Sequence, residues 1–152
     1  MAELAEGDKA PEFTLSDAAG NKVRLSDFAG KKVVLYFYPK DNTPGCTTEA
    51  CEFRDLQAPF AKKNAAIVGI SPDPPESHSK FAAKFSLPFT LLCDPTHTVA
   101  EKYGAWGEKN LYGKKSMGIV RTTVVIDGRG RIAKIYRKVK AAGHAAAVLG
   151  AL

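Results

Sequence analysis

The feature that most constrains the fold is a strand, a loop and a helix in succession over residues 31–55. Residues 33–38 read VVLYFY, a continuous β-branched and aromatic run typical of a strand buried on both faces. Residues 39–45 contain two prolines, an asparagine, an aspartate and a glycine, which indicate a loop. Cys46 then begins a helical segment, and Cys51 follows five residues later. This order places Cys46 at the entrance of a helix.

A cysteine at a helix entrance has a physical reason to be reactive. The unpaired backbone N–H groups and the positive end of the helix dipole favour a thiolate there. Thr43 lies three residues earlier, where its hydroxyl could bond the sulfur or a bound oxygen. Pro39 and Pro44 stiffen the loop. We therefore predict that Cys46 is a reactive cysteine rather than an inert core residue.

The spacing of Cys46 and Cys51 is informative. Residues five apart on a helix are separated by ~7.5 Å of rise and ~500° of rotation, whereas a disulfide needs Cα atoms within ~7 Å. A bond between them requires the first helical turns to unwind, so the spacing suits a chemical cycle with two conformations. Two alternatives stay open for Cys51, a metal ligand or a small core residue. The metal reading lacks a second cysteine pair or a His-x-x-x-His pattern.

Strand and helix patterns alternate along the rest of the chain. The predicted elements are a hairpin of residues 13–15 and 22–25, the strand at 33–38, a helix after Cys46 with a bend near Pro59, a strand at 65–70, a helix at 76–85, a strand at 89–92, a helix from 94 to about 103, a loop at 104–118, a strand at 119–126, a turn at 127–130, a strand at 131–137 and a helix at 142–152. This order predicts one α/β domain over residues 1–152, with a central mixed β-sheet flanked by helices and an N-terminal β-hairpin, of thioredoxin type.

Composition excludes several classes of protein. No apolar run approaches the roughly 20 residues that span a bilayer, and the acidic N-terminus lacks the apolar segment of a secretory signal. The net charge is +6, but the basic residues form no stripe interleaved with aromatics, so we expect no nucleic-acid partner. Three cysteines in such a chain favour a reducing, cytoplasmic location. No haem, flavin or nicotinamide signature is visible, and we expect no cofactor.

Residues 39–46 also carry a family resemblance. The pattern Pro39-x-x-x-Thr43-x-x-Cys46 resembles the active-site motif of peroxiredoxins. The longer string YFYPKDNTPGCTTEACEFRD is similar to the peroxiredoxin Q or bacterioferritin-comigratory-protein subfamily. Further similarity in GDKAPEFTL and in LLCDPTHTVAEKYGAWGEKNLYGKKSMGIVRTTVVID extends the resemblance over nearly the whole chain.

The resemblance implies an antioxidant, thiol-dependent peroxidase that acts in cell redox homeostasis. Cys46 would be the peroxidatic cysteine, which reduces hydrogen peroxide or an organic hydroperoxide and becomes a sulfenic acid. Cys51 would be the resolving cysteine, which forms an intramolecular disulfide with it. Thioredoxin or a similar dithiol would then reduce that disulfide. The resemblance favours a monomer, with a dimer as the alternative.

The same resemblance assigns supporting residues. Thr43 would orient the peroxide oxygens, and Pro39 would shield the sulfenic acid. Arg121, expected on a strand, would aim its guanidinium at the thiolate and at the developing oxyanion. Glu49 would support Arg121, and Arg54 is a weaker candidate for the same network.

One position departs from the family pattern, because Cys93 stands where relatives usually carry serine. We expect Cys93 to be a small strand-end residue, with a role as alternative resolving cysteine less favoured. The three histidines are widely spaced and form no ligand pattern, so no catalytic role is expected for them. Two other functions stay open, a thioredoxin-like protein disulfide oxidoreductase and a redox-sensing interaction module. The five-residue cysteine spacing argues against the first, whose members resemble Cys-x-x-Cys.

Overall fold

The computed structural model describes residues 4–111 and 113–152. The strands are β1 Thr14–Asp17, β2 Lys22–Arg24, β3 Lys32–Phe37, β4 Ala65–Ser71, β5 Thr90–Cys93, β6 Trp106–Leu111, β7 Lys114–Ile119, β8 Thr122–Ile126 and β9 Ile132–Tyr136. The helices are α1 Pro44–Asp55, α2 Gln57–Lys62, α3 Pro75–Phe85, α4 Thr98–Lys102 and α5 His144–Gly150, and a short 3-10 turn covers Leu25–Phe28. Among these residues, no helix has the length and apolar character needed to cross a bilayer.

A seven-stranded sheet in the order β2-β1-β5-β4-β3-β8-β9 forms the centre of the fold. β3, β4 and β5 are parallel neighbours joined by helical crossovers. β8 runs antiparallel to β3, β9 antiparallel to β8, and the β1–β2 hairpin is added antiparallel at β5. The predicted mixed sheet with flanking helices and an N-terminal hairpin is confirmed.

β3 is an interior strand of the sheet, between β4 and β8, and its sequence suits this position. Val34, Tyr36 and Tyr38 pack on one face with residues of α1, α2, α3 and α5. Val33 and Leu35 pack on the other face, beneath α4 and the N-terminal segment. Both faces of β3 are therefore buried, which requires a continuous apolar run instead of alternation. This strand fixes the position of the loop and helix that follow it.

The segment predicted as a loop at residues 104–118 is largely a hairpin. β6 and β7 pair in register from Trp106 opposite Ile119 to Leu111 opposite Lys114, as a separate two-stranded sheet. The prediction was wrong because residues 114–117 of β7 are all exposed. Residues 114–117 therefore show no alternation of apolar and polar residues that would reveal the strand.

Three other boundaries differ from the sequence prediction. The strand expected at residues 119–126 is interrupted, because the Val120 N–H bonds the Ala105 carbonyl and the Arg121 carbonyl accepts from Val139 N. The helix expected from residue 94 begins at Thr98, because the buried Asp94 carboxylate accepts from backbone N–H groups at the start of α4. The bend expected near Pro59 lies at Leu56, where α1 and α2 meet.

Gly69 offers a test of the packing beneath helix α1. It lies opposite Tyr36 in β3 and Leu91 in β5, and a Cβ there would stand 2.9 Å from both side chains. Tyr36 is stacked on Tyr38 and Phe53, so it has little freedom to move away. We expect Gly69→Ala to lower the free energy of unfolding by roughly 1–3 kcal/mol, the usual cost of overpacking.

The matched control for Gly69→Ala is Gly107→Ala, whose Cβ would meet only Val120 at an ordinary 3.6 Å. Urea denaturation of both variants measures the difference. Equal midpoints for the two variants would contradict the packing argument.

Candidate active site

Cys46 lies in the first turn of α1, as predicted. Thr43 is the N-cap residue, with extended backbone angles, and Pro44 occupies the first helical position. Proline is favoured there because its fixed φ suits the helix and no N–H is lost from a hydrogen bond. Cys46 is then the third helical residue, and only 1% of its surface is exposed. Its sulfur therefore lies close to the positive end of the helix dipole and out of bulk water.

The guanidinium of Arg121 joins Cys46 to Glu49. Its Nη2 donates to Cys46 Sγ at 3.3 Å, and its Nη1 donates to Glu49 Oε1 at 2.6 Å. The sequence predicted that Arg121 lies on a strand. In the structure it lies immediately before β8 instead. Its backbone turns there between the β6–β7 hairpin and the main sheet. The two terminal nitrogens of the planar guanidinium thus contact two side chains on the same face of α1.

Gly45 makes room for this contact. A Cβ at Gly45 would stand 3.1 Å from Arg121 Nη2, closer than side chains normally tolerate. The absence of a side chain at this position lets the guanidinium lie against the first turn of α1. In the sequence Gly45 is recognisable only as a loop residue, and nothing local indicates its contact with the distant Arg121.

Glu49 is fully buried, and its environment changes its acidity. Burial raises the pKa of its carboxyl from an ordinary 4.5 to about 7, although the charge and hydrogen bond of Arg121 act in the opposite direction. Its second oxygen, Oε2, has no hydrogen-bond partner among the described residues. For Arg121, burial lowers the pKa, but Glu49 and Cys46 outweigh burial and raise it overall.

Thr43 and Pro39 belong to the loop before α1. The Thr43 hydroxyl donates to the Lys40 carbonyl oxygen at 2.8 Å. Its proton is thus used within the loop, and the oxygen keeps lone pairs to accept a further hydrogen bond. Pro39 is half-buried directly after the fully buried Tyr38.

The other two cysteines occupy different settings. Cys51 is a half-buried free thiol in the continuous helix α1. Cys93 ends β5, opposite Ser71, and burial together with nearby Asp41 raises the pKa of its thiol to about 11. A thiol that holds its proton so tightly is a poor nucleophile at neutral pH.

Arg54 is not part of the Arg121 network. Its Nη1 donates to the Phe85 carbonyl at 2.8 Å, and its Nη2 pairs with Asp55. Arg54 therefore ties the end of α1 to the end of α3, and the weaker sequence prediction for it was wrong.

A buried polar cluster beside the loop is not apparent from the sequence. Asp41 and His78 are buried and joined by a 2.7 Å contact between Oδ2 and Nδ1. The one sequence signal was the position of Asp41, two residues before Thr43. The spacing of the three histidines did not indicate a role for His78, because its partner Asp41 lies in a loop that is distant in the sequence.

Comparison with known proteins places this geometry in a family. Residues 6–135 match the AhpC/TSA family model. Peroxiredoxin Bcp of Bacillus subtilis is 52% identical over 146 residues, covering 96% of this chain and 93% of that protein. Peroxiredoxin Bcp of Escherichia coli is 46% identical over 149 residues, covering 98% and 96%.

The chain belongs to the peroxiredoxin family. Among solved structures, a cysteine-to-serine mutant of Xylella fastidiosa PrxQ superposes with a TM-score of 0.93 at 35% identity, covering 99% of this chain and 96% of that one. The bacterioferritin comigratory protein of Xanthomonas campestris superposes with a TM-score of 0.87 at 42% identity, covering 91% and 88%. The expected subfamily resemblance, the thioredoxin-like fold and the enzyme class, a thiol-dependent peroxidase, are confirmed.

The acidity of Glu49 predicts a pH dependence of stability. Because its folded pKa of about 7 exceeds the ordinary 4.5, the folded state binds this proton more tightly than the unfolded chain does. The resulting stabilisation is present below about pH 4.5 and is lost as pH rises through about 7, a change of about 3 kcal/mol. We expect the unfolding free energy of the wild type, minus that of Glu49→Gln, to fall by about this amount over that interval.

Urea denaturation of the reduced proteins at a series of pH values measures this difference. A constant difference between wild type and Glu49→Gln across the whole series would contradict the assignment. The comparison isolates Glu49 because the other buried groups are common to both proteins.

Proposed function

We propose that this peroxiredoxin reduces hydrogen peroxide and organic hydroperoxides through Cys46, with Cys51 as the resolving cysteine and thioredoxin or a similar dithiol as the reductant. The observation that carries the proposal is the 3.3 Å contact between the Arg121 guanidinium and the buried sulfur of Cys46 at the start of α1. The Xanthomonas relative is described by its alkyl peroxide reduction activity, which supports including organic hydroperoxides.

In the first step the thiolate of Cys46 attacks the terminal oxygen of the hydroperoxide. The S–O bond forms, the O–O bond breaks, and the leaving alkoxide or hydroxide takes a proton to become alcohol or water. Arg121 Nη2 favours negative charge on sulfur and is within reach of an oxygen that approaches it. Thr43 accepts a hydrogen bond from the peroxide hydroxyl, since its own proton is directed to Lys40. Pro39 covers the entrance and limits access of water.

In the second step the thiol of Cys51 displaces water from the sulfenic acid. The S–S bond forms as the S–O bond breaks. Because the two residues are separated by ~7.5 Å along an intact helix, α1 must partly unwind first. An external dithiol then reduces the disulfide by thiol exchange and returns both cysteines to the thiol form.

The burial of Cys46 argues against a general protein disulfide oxidoreductase. A thiol with 1% exposure leaves no room for the approach of a disulfide on a folded protein. A redox-sensing module would also be oxidised at Cys46 by peroxide but would not turn over. The experiment below distinguishes it from a peroxidase.

We also propose a single-domain, cytoplasmic monomer. An odd number of cysteines leaves one thiol unpaired after the disulfide forms, which suits a reducing compartment. Among the described residues, Met117 is the one large hydrophobic side chain that is well exposed, at 58%. A monomer is therefore favoured over an oligomer that buries an apolar surface.

Three cysteine variants test the proposal. Cys46→Ser should abolish peroxide-dependent oxidation of reduced thioredoxin. Cys51→Ser should reduce one equivalent of peroxide and then fail to turn over with thioredoxin, because no disulfide forms. Cys93→Ser is the control and should cycle at the wild-type rate, because Cys93 remains a thiol throughout.

Peroxide consumption and mass spectrometry of the oxidised proteins measure these outcomes. Full activity of Cys46→Ser would overturn the proposal, and a Cys46–Cys93 disulfide would transfer the resolving role. Negligible turnover in the wild type, with oxidation of Cys46, would favour the redox-sensing module.

A second prediction concerns the space at Gly45. Gly45→Ala should displace the Arg121 guanidinium from the sulfur by a few tenths of an ångström and slow the oxidation of Cys46 by about tenfold. Alanine is a better helix former than glycine, so α1 itself should not be weakened. Stopped-flow measurement of the second-order rate constant with hydrogen peroxide checks this.

The matched control is Gly150→Ala in α5, where a Cβ meets nothing within 4 Å. It should react at the wild-type rate. If Gly45→Ala also reacts at that rate, the contact between Arg121 and Cys46 does not govern reactivity.

A further inference from the structure

A buried ion pair fixes the loop that precedes α1. His78 of α3 has no exposed surface, and its Nδ1 lies 2.7 Å from Oδ2 of Asp41 in the loop. Its other ring nitrogen, Nε2, lies 2.8 Å from the carbonyl oxygen of Leu92 in β5. The imidazole ring therefore connects the loop to the main sheet.

The partners of His78 determine its charge. A carbonyl oxygen only accepts hydrogen bonds, so Nε2 carries a proton. The Asp41 carboxylate also accepts hydrogen bonds. Burial acts to raise the pKa of Asp41, but the hydrogen bonds from His78 and Tyr38, together with the charge of His78, lower it overall. With Asp41 ionised, Nδ1 donates to the Asp41 carboxylate as well, which corresponds to an imidazolium. Burial lowers the pKa of His78, but its hydrogen bond and charge interaction with Asp41 raise it above the ordinary value.

Asp41 is held by more than His78. Tyr38 Oη donates to its Oδ1 at 2.6 Å, and Ser77 Oγ donates to its Oδ2 at 2.8 Å. Its backbone N–H donates to Asp73 Oδ2 at 2.7 Å. Although a ligand atom from each of Asp41, Asp73 and His78 lies within 4.8 Å of the others, hydrogen bonds inside the protein already use these atoms. The cluster is therefore a closed network that holds the backbone at Asp41.

The position of this network relative to α1 gives it a consequence. The next residue after Asp41 is Asn42, whose φ of 58° is left-handed, and Thr43 then caps α1. At the other end of the helix, Phe53 is fully buried against Tyr36, with ring centroids 4.8 Å apart. Both cysteines thus lie between two points where the chain is fixed.

We propose that His78 is a positioning residue for the peroxidase reaction, holding Asp41, and through it Thr43 and the first turn of α1, in the peroxide-reactive arrangement. This inference rests on the proposed role of Cys46. It also assigns the limits of unwinding, which would extend from Asn42 to Glu52 and leave the Asp41 network and Phe53 in place.

The two chemical steps should respond differently to loss of His78. Attack on peroxide needs the ordered loop, because Thr43 and the sulfur must be aligned. Disulfide formation needs the helix to open, and a looser loop does not oppose this. A residue that served only general stability would have no reason to separate the two steps.

The test compares His78→Gln with wild type in two single-turnover measurements. Oxidation of Cys46 by hydrogen peroxide is measured in a Cys51→Ser background, with the sulfenic acid trapped by dimedone. Disulfide formation is measured with both cysteines present, by acid quenching, thiol labelling and mass spectrometry. We expect the first rate constant to fall by about tenfold and the second to equal or exceed that of the wild type.

Ser77→Ala is the milder variant, because it removes one hydrogen bond to Asp41 and leaves the ion pair. It should show the same separation with a smaller effect, and it keeps the test valid should His78→Gln fail to fold. His97→Gln is the matched control, since His97 is half-buried and stacked on Trp106. It should change neither rate.

The pH dependence supplies a further readout. Because the pKa of His78 is raised, the imidazolium contact is complete at low pH and is lost as pH rises through that raised value. The Asp41 carboxylate persists across this range because its own pKa is lowered. The other titratable groups near the pair are Tyr38, Asp73 and Cys93. The rate advantage of wild type over His78→Gln should therefore shrink as the solution becomes alkaline.

Two outcomes would overturn the proposal. One is oxidation of folded His78→Gln and Ser77→Ala within twofold of the wild-type rate. The other is an equal fall in both rate constants, which would indicate only a general structural role. If the Cys51→Ser parent is not oxidised at Cys46 at all, the proposed function fails instead, and the two failures are distinguishable.

Discussion

The site depends on one guanidinium shared by two buried acidic groups. Arg121 contacts the sulfur of Cys46 and the carboxyl of Glu49, both of which are almost fully removed from solvent. Water cannot stabilise negative charge at either position, so charge at both positions depends on the same cation. The raised pKa of Glu49, about 7, shows that one guanidinium does not fully offset the burial of this carboxyl. The same exclusion of water strengthens the attraction between Arg121 and a charge that develops at the sulfur.

Helix α1 must satisfy two opposing requirements. Its inward face, Cys46, Glu49, Ala50 and Phe53, follows helical spacing and is buried against the sheet. The proposed disulfide between Cys46 and Cys51 would require part of this helix to open. The local sequence is suited to both, because glycine, cysteine and two threonines are weak helix formers at the N-terminal end. The first turns are therefore held mainly by tertiary contacts, and loss of a few contacts releases them without unfolding the core.

The sequence predicts those features whose causes are local. The run at residues 33–38 predicts the buried interior strand β3, and the loop chemistry before Cys46 predicts the helix entrance. Arg121 could be assigned only through the family resemblance, since 75 residues separate it from Cys46. The Asp41–His78 pair, 37 residues apart, and the contact of Gly45 with Arg121 leave no periodic trace. The β6–β7 hairpin escaped prediction because β7 buries almost none of its side chains. Hydrogen bonds between distant segments are set by the tertiary fold, which composition and periodicity do not encode residue by residue.

The Asp41–His78 pair shows why a buried charge pair can matter without adding much stability. Desolvation of an imidazolium and a carboxylate cancels a large part of their attraction, and apolar residues of similar volume often stabilise a core equally well. An apolar pair, however, would tolerate several loop positions. The hydrogen bonds at Nδ1, Nε2 and the two carboxylate oxygens permit only one. In the proposed cycle the adjacent helix α1 opens and closes, and a contact this directional would define where the moving segment begins. This argues that the pair contributes to position rather than to stability.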